Sequence, residues 1–177
     1  MNAPTALLVI DAQVNMFDPA NPAASAGALI ERLVVLLAHA RAAAWPVVFV
    51  RNCGGPNDPD QRGTPGWELH PRLVPLAGEA VLDKTTCDTF ASTALASELA
   101  ARGVSRLVIA GLQSEFCVRE TTLGALALGL EVTLVSDGHG TYDSGGTPAA
   151  ETSAAVNAEL AGRVTLATAA EVLAARL

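Results

Sequence analysis

Three residues far apart in the chain carry side chains suited to nucleophilic hydrolysis: Cys117, Asp11 and Lys84. A cysteine sulfur can attack a carbonyl carbon, a carboxylate can take up and return the proton, and an ammonium can steady the charges that develop. Cys117 closes the stretch Gly111-Leu112-Gln113-Ser114-Glu115-Phe116-Cys117, where an apolar strand gives way to a helix. Exposed N–H groups and the helix dipole at such a start favour thiolate over thiol, which makes Cys117 a candidate nucleophile. Asp11 ends the apolar run Leu7-Leu8-Val9-Ile10, and Lys84 directly follows Val81-Leu82-Asp83. Taken singly, each has a plainer reading: an inert buried cysteine, an aspartate capping a turn, a solvated lysine.

A parallel sheet would bring the three together, because such sheets bind ligands outside the carboxyl ends of their strands. Short β-rich runs alternate here with longer alanine- and leucine-rich stretches of helical period, the pattern of an α/β chain. Six strands are expected at 6–11, 46–51, 80–83, 106–111, 131–136 and 163–166, several of them apolar on both faces as a doubly covered sheet requires. Helices are expected at 24–44, 90–102, 115–129, 148–161 and 169–177, with Gly103 and Gly129 where two of them stop. The Gly- and Pro-rich segment 52–78 has no clear period and reads as a long ordered loop or lid. Asp11, Lys84, Cys117 and a turn at Ser136-Asp137-Gly138-His139 all fall at strand ends.

Composition narrows the partners. Of 177 residues 50% are hydrophobic and 16% charged, enough apolar material for one core, so a single domain over 1–177 is expected. Eleven Lys and Arg against 18 Asp and Glu give a formal charge of -7, which repels nucleic acid and anionic membrane surfaces. The apolar runs fall far short of the roughly 20 residues needed to span a bilayer. Met1 to Thr5 carries no positive n-region, so no signal peptide is expected. Cys53, Cys87 and Cys117 form an odd set without C-x-x-C spacing, which fits reduced thiols in a cytoplasm; Cys53 and Cys87 read as structural.

The order and spacing of these motifs resemble the isochorismatase-like cysteine hydrolases, which include nicotinamidases, N-carbamoylsarcosine amidase and biuret-type ureide hydrolases. The resemblance is carried by residues 6–13, by 63–71, by Lys84 with Asp88, Phe90 and Thr93, by 111–118 and by 134–139. It implies a three-layer α/β/α, Rossmann-type fold around a six-stranded parallel sheet of order 3-2-1-4-5-6. It also implies that Asp11, Lys84 and Cys117 form a triad that cleaves the C–N bond of a small amide or ureide through an acyl-enzyme. A cis peptide would fall at Leu112-Gln113, and the N–H groups of Gln113 and Cys117 would form the oxyanion hole. Phe17, Gln13 and Trp67 would line the pocket, and His139 would touch substrate or an interface. Relatives of this kind are homo-oligomers, and the sparsely charged helices with exposed Ala and Leu suit a homodimer or homotetramer.

The departures matter as much. Nicotinamidases hold a metal with an Asp-x-His pair after strand 2, where this chain has Arg51-Asn52-Cys53; His39, His70 and His139 are scattered, so no metal and no cofactor is expected. Ala155-Val156-Asn157 replaces a histidine pair before the asparagine of the penultimate helix. Ether-cleaving isochorismatases resemble the fold but lack the cysteine, so Cys117 favours C–N cleavage. An ether hydrolase, a non-catalytic binding member of the fold, and a thiol redox protein are the alternatives.

Overall fold

The computed structural model describes residues 4–175. Its strands are β1 (Thr5–Ile10), β2 (Val47–Asn52), β3 (Ala80–Lys84), β4 (Arg106–Leu112), β5 (Glu131–Gly140) and β6 (Thr165–Ala167). They pair side by side, all parallel, in the order β3-β2-β1-β4-β5-β6. The helices are α1 (Ala26–Ala42), α2 (Thr89–Ser92), α3 (Leu95–Ala101), α4 (Arg119–Ala127), α5 (Ala149–Leu160) and α6 (Ala169–Ala174).

Strand periodicity divides the apolar side chains between the two faces. Leu7 and Val9 of β1 join Phe49, Val108 and Val135 beneath α1 and α6. Ala6, Leu8 and Ile10 join Val48, Ile109 and Leu134 beneath α3, α4 and α5. Every residue of the central β1 is therefore buried, as a strand covered on both sides must be. Helix α1 buries Leu29, Leu33, Leu36, Leu37 and Ala40, a stripe of helical spacing laid on the sheet. Strand order reverses between β1 and β4, and that switch point opens a crevice at their carboxyl ends. Gly111 lets the two strands close there: at φ +133° it holds a conformation side chains avoid, and a Cβ would stand 2.0 Å from the Ile10 carbonyl oxygen.

Several boundaries differ from the sequence reading for local reasons. The helix expected at 90–102 is two, because the Thr93 hydroxyl donates to the Thr89 carbonyl and accepts from the Leu95 N–H, ending one helix and starting the next. The helix expected at 115–129 opens with a π-helical turn, Ser114–Val118, before α4. Strand β5 does not stop at 136. The two-residue step from Ile109 to Gly111 pairs with the five-residue step from Leu134 to His139, so β5 bulges and resumes, and the turn expected around His139 is strand. Helix α6 ends at Ala174, and the remainder of its expected span, 176–177, lies outside the described residues. Segment 52–78 is ordered by a 3-10 turn at Pro65–Trp67 and by bridges from Gln13 to Leu69 and from Gly54 to Gln61.

Candidate active site

The three sequence-selected residues converge at the switch-point crevice. Asp11 follows β1 at φ +48°, a left-handed turn that aspartate tolerates better than most residues. Lys84 is the last residue of β3, two strands away, and its side chain is fully buried. Cys117 sits in the π-helical turn after β4, following a cis peptide at Leu112-Gln113. Lys84 joins them. An ammonium has three protons to give, and Lys84 Nζ meets Asp11 Oδ2 at 2.8 Å, Cys117 Sγ at 3.1 Å and Asn52 Oδ1 at 3.1 Å.

The charges of this cluster set its resting protonation. Burial raises the Asp11 pKa, and the Lys84 charge opposes that rise. Burial also works against the Lys84 ammonium, yet the Asp11 carboxylate and the hydrogen bonds to Asp11 and Cys117 outweigh it and hold its pKa above the ordinary lysine value. Burial and then the Asp11 charge push the Cys117 pKa far up, more than Lys84 pulls it down. The thiolate that a helix start favours is thus opposed: burial and Asp11 hold the Cys117 sulfur toward its neutral form, beside Lys84 paired with Asp11 at 2.8 Å. Desolvation and a neighbouring carboxylate exceed the dipole of a short helical turn.

Comparison with known proteins decides the family. The profile of the isochorismatase domain matches residues 5–170, nearly the whole described chain. The chain belongs to the isochorismatase family. A streptothricin hydrolase from Streptomyces noursei is 43% identical over 143 residues, 81% of this chain and 52% of that protein. A ureidoacrylate amidohydrolase from Variovorax paradoxus (strain S110) is 29% identical, covering 80% of this chain and 70% of its own length. The solved isochorismatase family protein from Desulfovibrio vulgaris subsp. vulgaris str. Hildenborough superposes with a TM-score of 0.83 at 28% identity, covering 98% of this chain and 100% of that one. This chain spans only 52% to 62% of the length of the streptothricin hydrolases it matches.

Within this isochorismatase-family crevice, Cys117 opens onto a cavity of about 370 Å³, floored by Asp11, Asn52 and Cys117 and walled in part by Gln113 and Tyr142. Phe17, Gln13 and Trp67 are not among the residues that line this cavity, and each has structural contacts of its own. Phe17 turns its ring edge-on to His70 at 4.9 Å and packs on the core. Gln13 is fully buried and clamps the loop: its Nε2 donates to the carbonyls of Asn52 and Trp67, and its Oε1 accepts from the Asn52 N–H. Trp67 stacks beneath Arg51, 3.6 Å from ring centroid to guanidinium carbon, and donates Nε1–H to Cys53 Sγ. Cys53 thus has the structural place expected of it, whereas Cys87 is exposed.

His139 is 6% exposed and sits behind the nucleophile turn. Asn157 donates its amide to the Ser136 carbonyl, so its Oδ1 must accept from His139 Nε2–H at 3.0 Å. That leaves Nδ1 to accept from the Ser114 hydroxyl at 2.8 Å, which in turn accepts from Ser153 at 2.9 Å. Burial lowers the His139 pKa, in keeping with the neutral ring this chain needs. Asn157 thus finds its partner in His139 without the histidine pair of the relatives.

The sequence reading passed over two residues. In the sequence Asn52 stands only as the substitute for a metal-binding pattern, yet it holds the third proton of Lys84 and donates Nδ2–H to Asp60 Oδ2 at 2.6 Å. Asp60 lies in the aperiodic loop, and its own sequence carries no signal. Among the described residues no group of three or more His, Cys, Asp or Glu is placed to hold a metal ion, and no helix is long and apolar enough to cross a membrane.

Proposed function

We propose that this chain is a cysteine hydrolase that cleaves the C–N bond of a small amide or ureide through an acyl-enzyme on Cys117. The observation that carries the reading is one buried ammonium, Lys84, held against both Asp11 and Cys117 at the floor of an open cavity. The names of its relatives, a hydrolase and an amidohydrolase, support it.

The cycle begins from the neutral thiol. As Sγ forms its bond to the substrate carbonyl carbon, the thiol proton passes to Asp11 and the carbonyl electron pair moves to oxygen. The N–H groups of Gln113 and Cys117 are assigned to receive that oxyanion. Asp11 returns the proton to the nitrogen, the C–N bond breaks, and the amine leaves a thioester behind. Asp11 then takes a proton from water, whose oxygen adds to the thioester carbon. Collapse expels the sulfur, which recovers the proton from Asp11, and the acid departs. Lys84 stays charged throughout and balances whichever of Asp11 or Cys117 is negative. A thiol so placed suits C–N cleavage better than ether cleavage. We extend the proposal to a single catalytic domain acting in a cytoplasm, and to a homodimer or homotetramer, because Phe116 and Leu128 leave 51% and 55% of their surface exposed; a monomer by light scattering would reject that last part.

Release of ammonia or amine from a panel of small amides and ureides tests the reaction, with Cys117→Ala as control. Loss of roughly 10^3-fold or more is expected in the variant with its fold intact. Equal turnover would reject the nucleophile.

A further inference from the structure

The cavity above Cys117 has an unbalanced wall. Asp11, Asp18 and Asp60 all line it, together with Asn15, Asn21 and Asn52, and no Lys, Arg or His does. Lys84 lies beneath the floor and offsets Asp11 through their ion pair. Among the described residues neither Asp18 nor Asp60 is paired with a cation. Asp60 is 8% exposed and has only the Asn52 amide on Oδ2. Asp18 is exposed and accepts on Oδ1 from the Ala20 N–H alone. Asp18 also lies close enough to the cavity wall that its charge, after burial, helps raise the pKa of Tyr142.

Resting on the reading of Cys117 as the reacting atom, we infer that the cavity selects substrates carrying a protonated amine or guanidinium, with Asp18 and Asp60 as the determinants of that choice. Two carboxylates without a cationic partner offer a cation part of what it loses on leaving water, whereas a substrate with its own carboxylate meets like charge. Anionic ureides are thereby disfavoured as substrates, while the chemistry at Cys117 stays the same.

Thiol labelling tests it without knowing the substrate. Purified protein is treated with three methanethiosulfonates of similar size: cationic 2-(trimethylammonio)ethyl, neutral methyl and anionic 2-sulfonatoethyl. Modification of Cys117 is followed by peptide mass mapping, which separates it from Cys53 and Cys87, and each rate is divided by that of a free thiol in solution. The cationic reagent is expected to outpace the anionic one by roughly tenfold or more, as clefts lined by one sign of charge do. The preference should shrink as salt is added. Asp18→Asn, at an exposed position that tolerates the change, should cut the ratio several-fold, and Asp60→Asn should cut it further. Equal rates, a faster anionic reagent drawn by Lys84, or a ratio untouched by Asp18→Asn would each overturn the inference. These outcomes are distinct from failure to release amine from any member of the amide panel, which would overturn the proposed reaction instead.

Discussion

Replacing Asp11 by asparagine should pull apart two properties that usually move together, sulfur reactivity and turnover. Asp11 is fully buried, paired with Lys84 at 2.8 Å, and its charge is a principal reason, after burial, that the Cys117 thiol stays protonated. Two unit charges about 4 Å apart interact by about 4 kcal/mol at an effective dielectric near 20. Removing the carboxylate charge takes away that repulsion and leaves Lys84 with the sulfur as its natural counter-ion. A rise of at least about tenfold in the rate of Cys117 alkylation at neutral pH is expected, since ~1.4 kcal/mol is a factor of ten. Amide turnover should fall roughly 10^2- to 10^4-fold, the range for loss of a general acid–base group. Alkylation is read by timed quenching with iodoacetamide and peptide mapping, turnover by amine release, and the fold by circular dichroism. Labelling that is unchanged or slower in a folded variant would refute the claim that Asp11 holds the thiol neutral and serves as its proton acceptor.

Other perturbations follow from the same geometry. Lys84→Met leaves the Asp11 carboxylate buried without its cation and should cost about 3 to 5 kcal/mol in denaturant unfolding; because the Asp11 pKa then rises further, the deficit should shrink as acid protonates it and grow as pH rises. Burial holds the His139 pKa below 6.5, so the unfolded chain takes up a proton that the native state refuses. His139 should therefore make the protein lose stability as pH falls below 6.5 and contribute no slope above it, a difference His139→Gln should remove when melting curves are compared across pH. Gln13→Ala strips partners from the Asn52 N–H and from the Asn52 and Trp67 carbonyls. It should cost about 3 kcal/mol and speed proteolytic cleavage within 53–78, whereas an unchanged cleavage rate would show that the loop does not depend on this clamp.

Much of this arrangement is legible in the sequence because it rests on short-range pattern. The runs Leu7 to Ile10, Val47 to Val50 and Leu107 to Ile109 are apolar on both faces, which marks strands covered by helices, and polar residues at their carboxyl ends mark the crevice. What failed depended on contacts between distant segments. Asp137-Gly138 reads as a turn, yet pairing of His139 with Gly111 keeps β5 going after its bulge, and no local signal records that bond. Phe17 and Trp67 are aromatic and near the motif residues, but His70 and Arg51 claim their rings. A helix start alone favours the Cys117 thiolate, but burial and the carboxylate brought in from a distant strand oppose it. Asp18 and Asp60 stand in loops whose composition gives no sign that they face one cavity.

The proposed reaction turns on a covalent bond between substrate carbon and Cys117. Once the panel yields an amide that is turned over, quenching the reaction with acid during the first turnovers and weighing the intact protein tests it most directly. A mass increase equal to the acyl group alone is expected, mapped to the peptide bearing Cys117 and absent from Cys117→Ala. Steady turnover with no adduct in the quenched protein, or an adduct carried by Cys53 or Cys87, would contradict it.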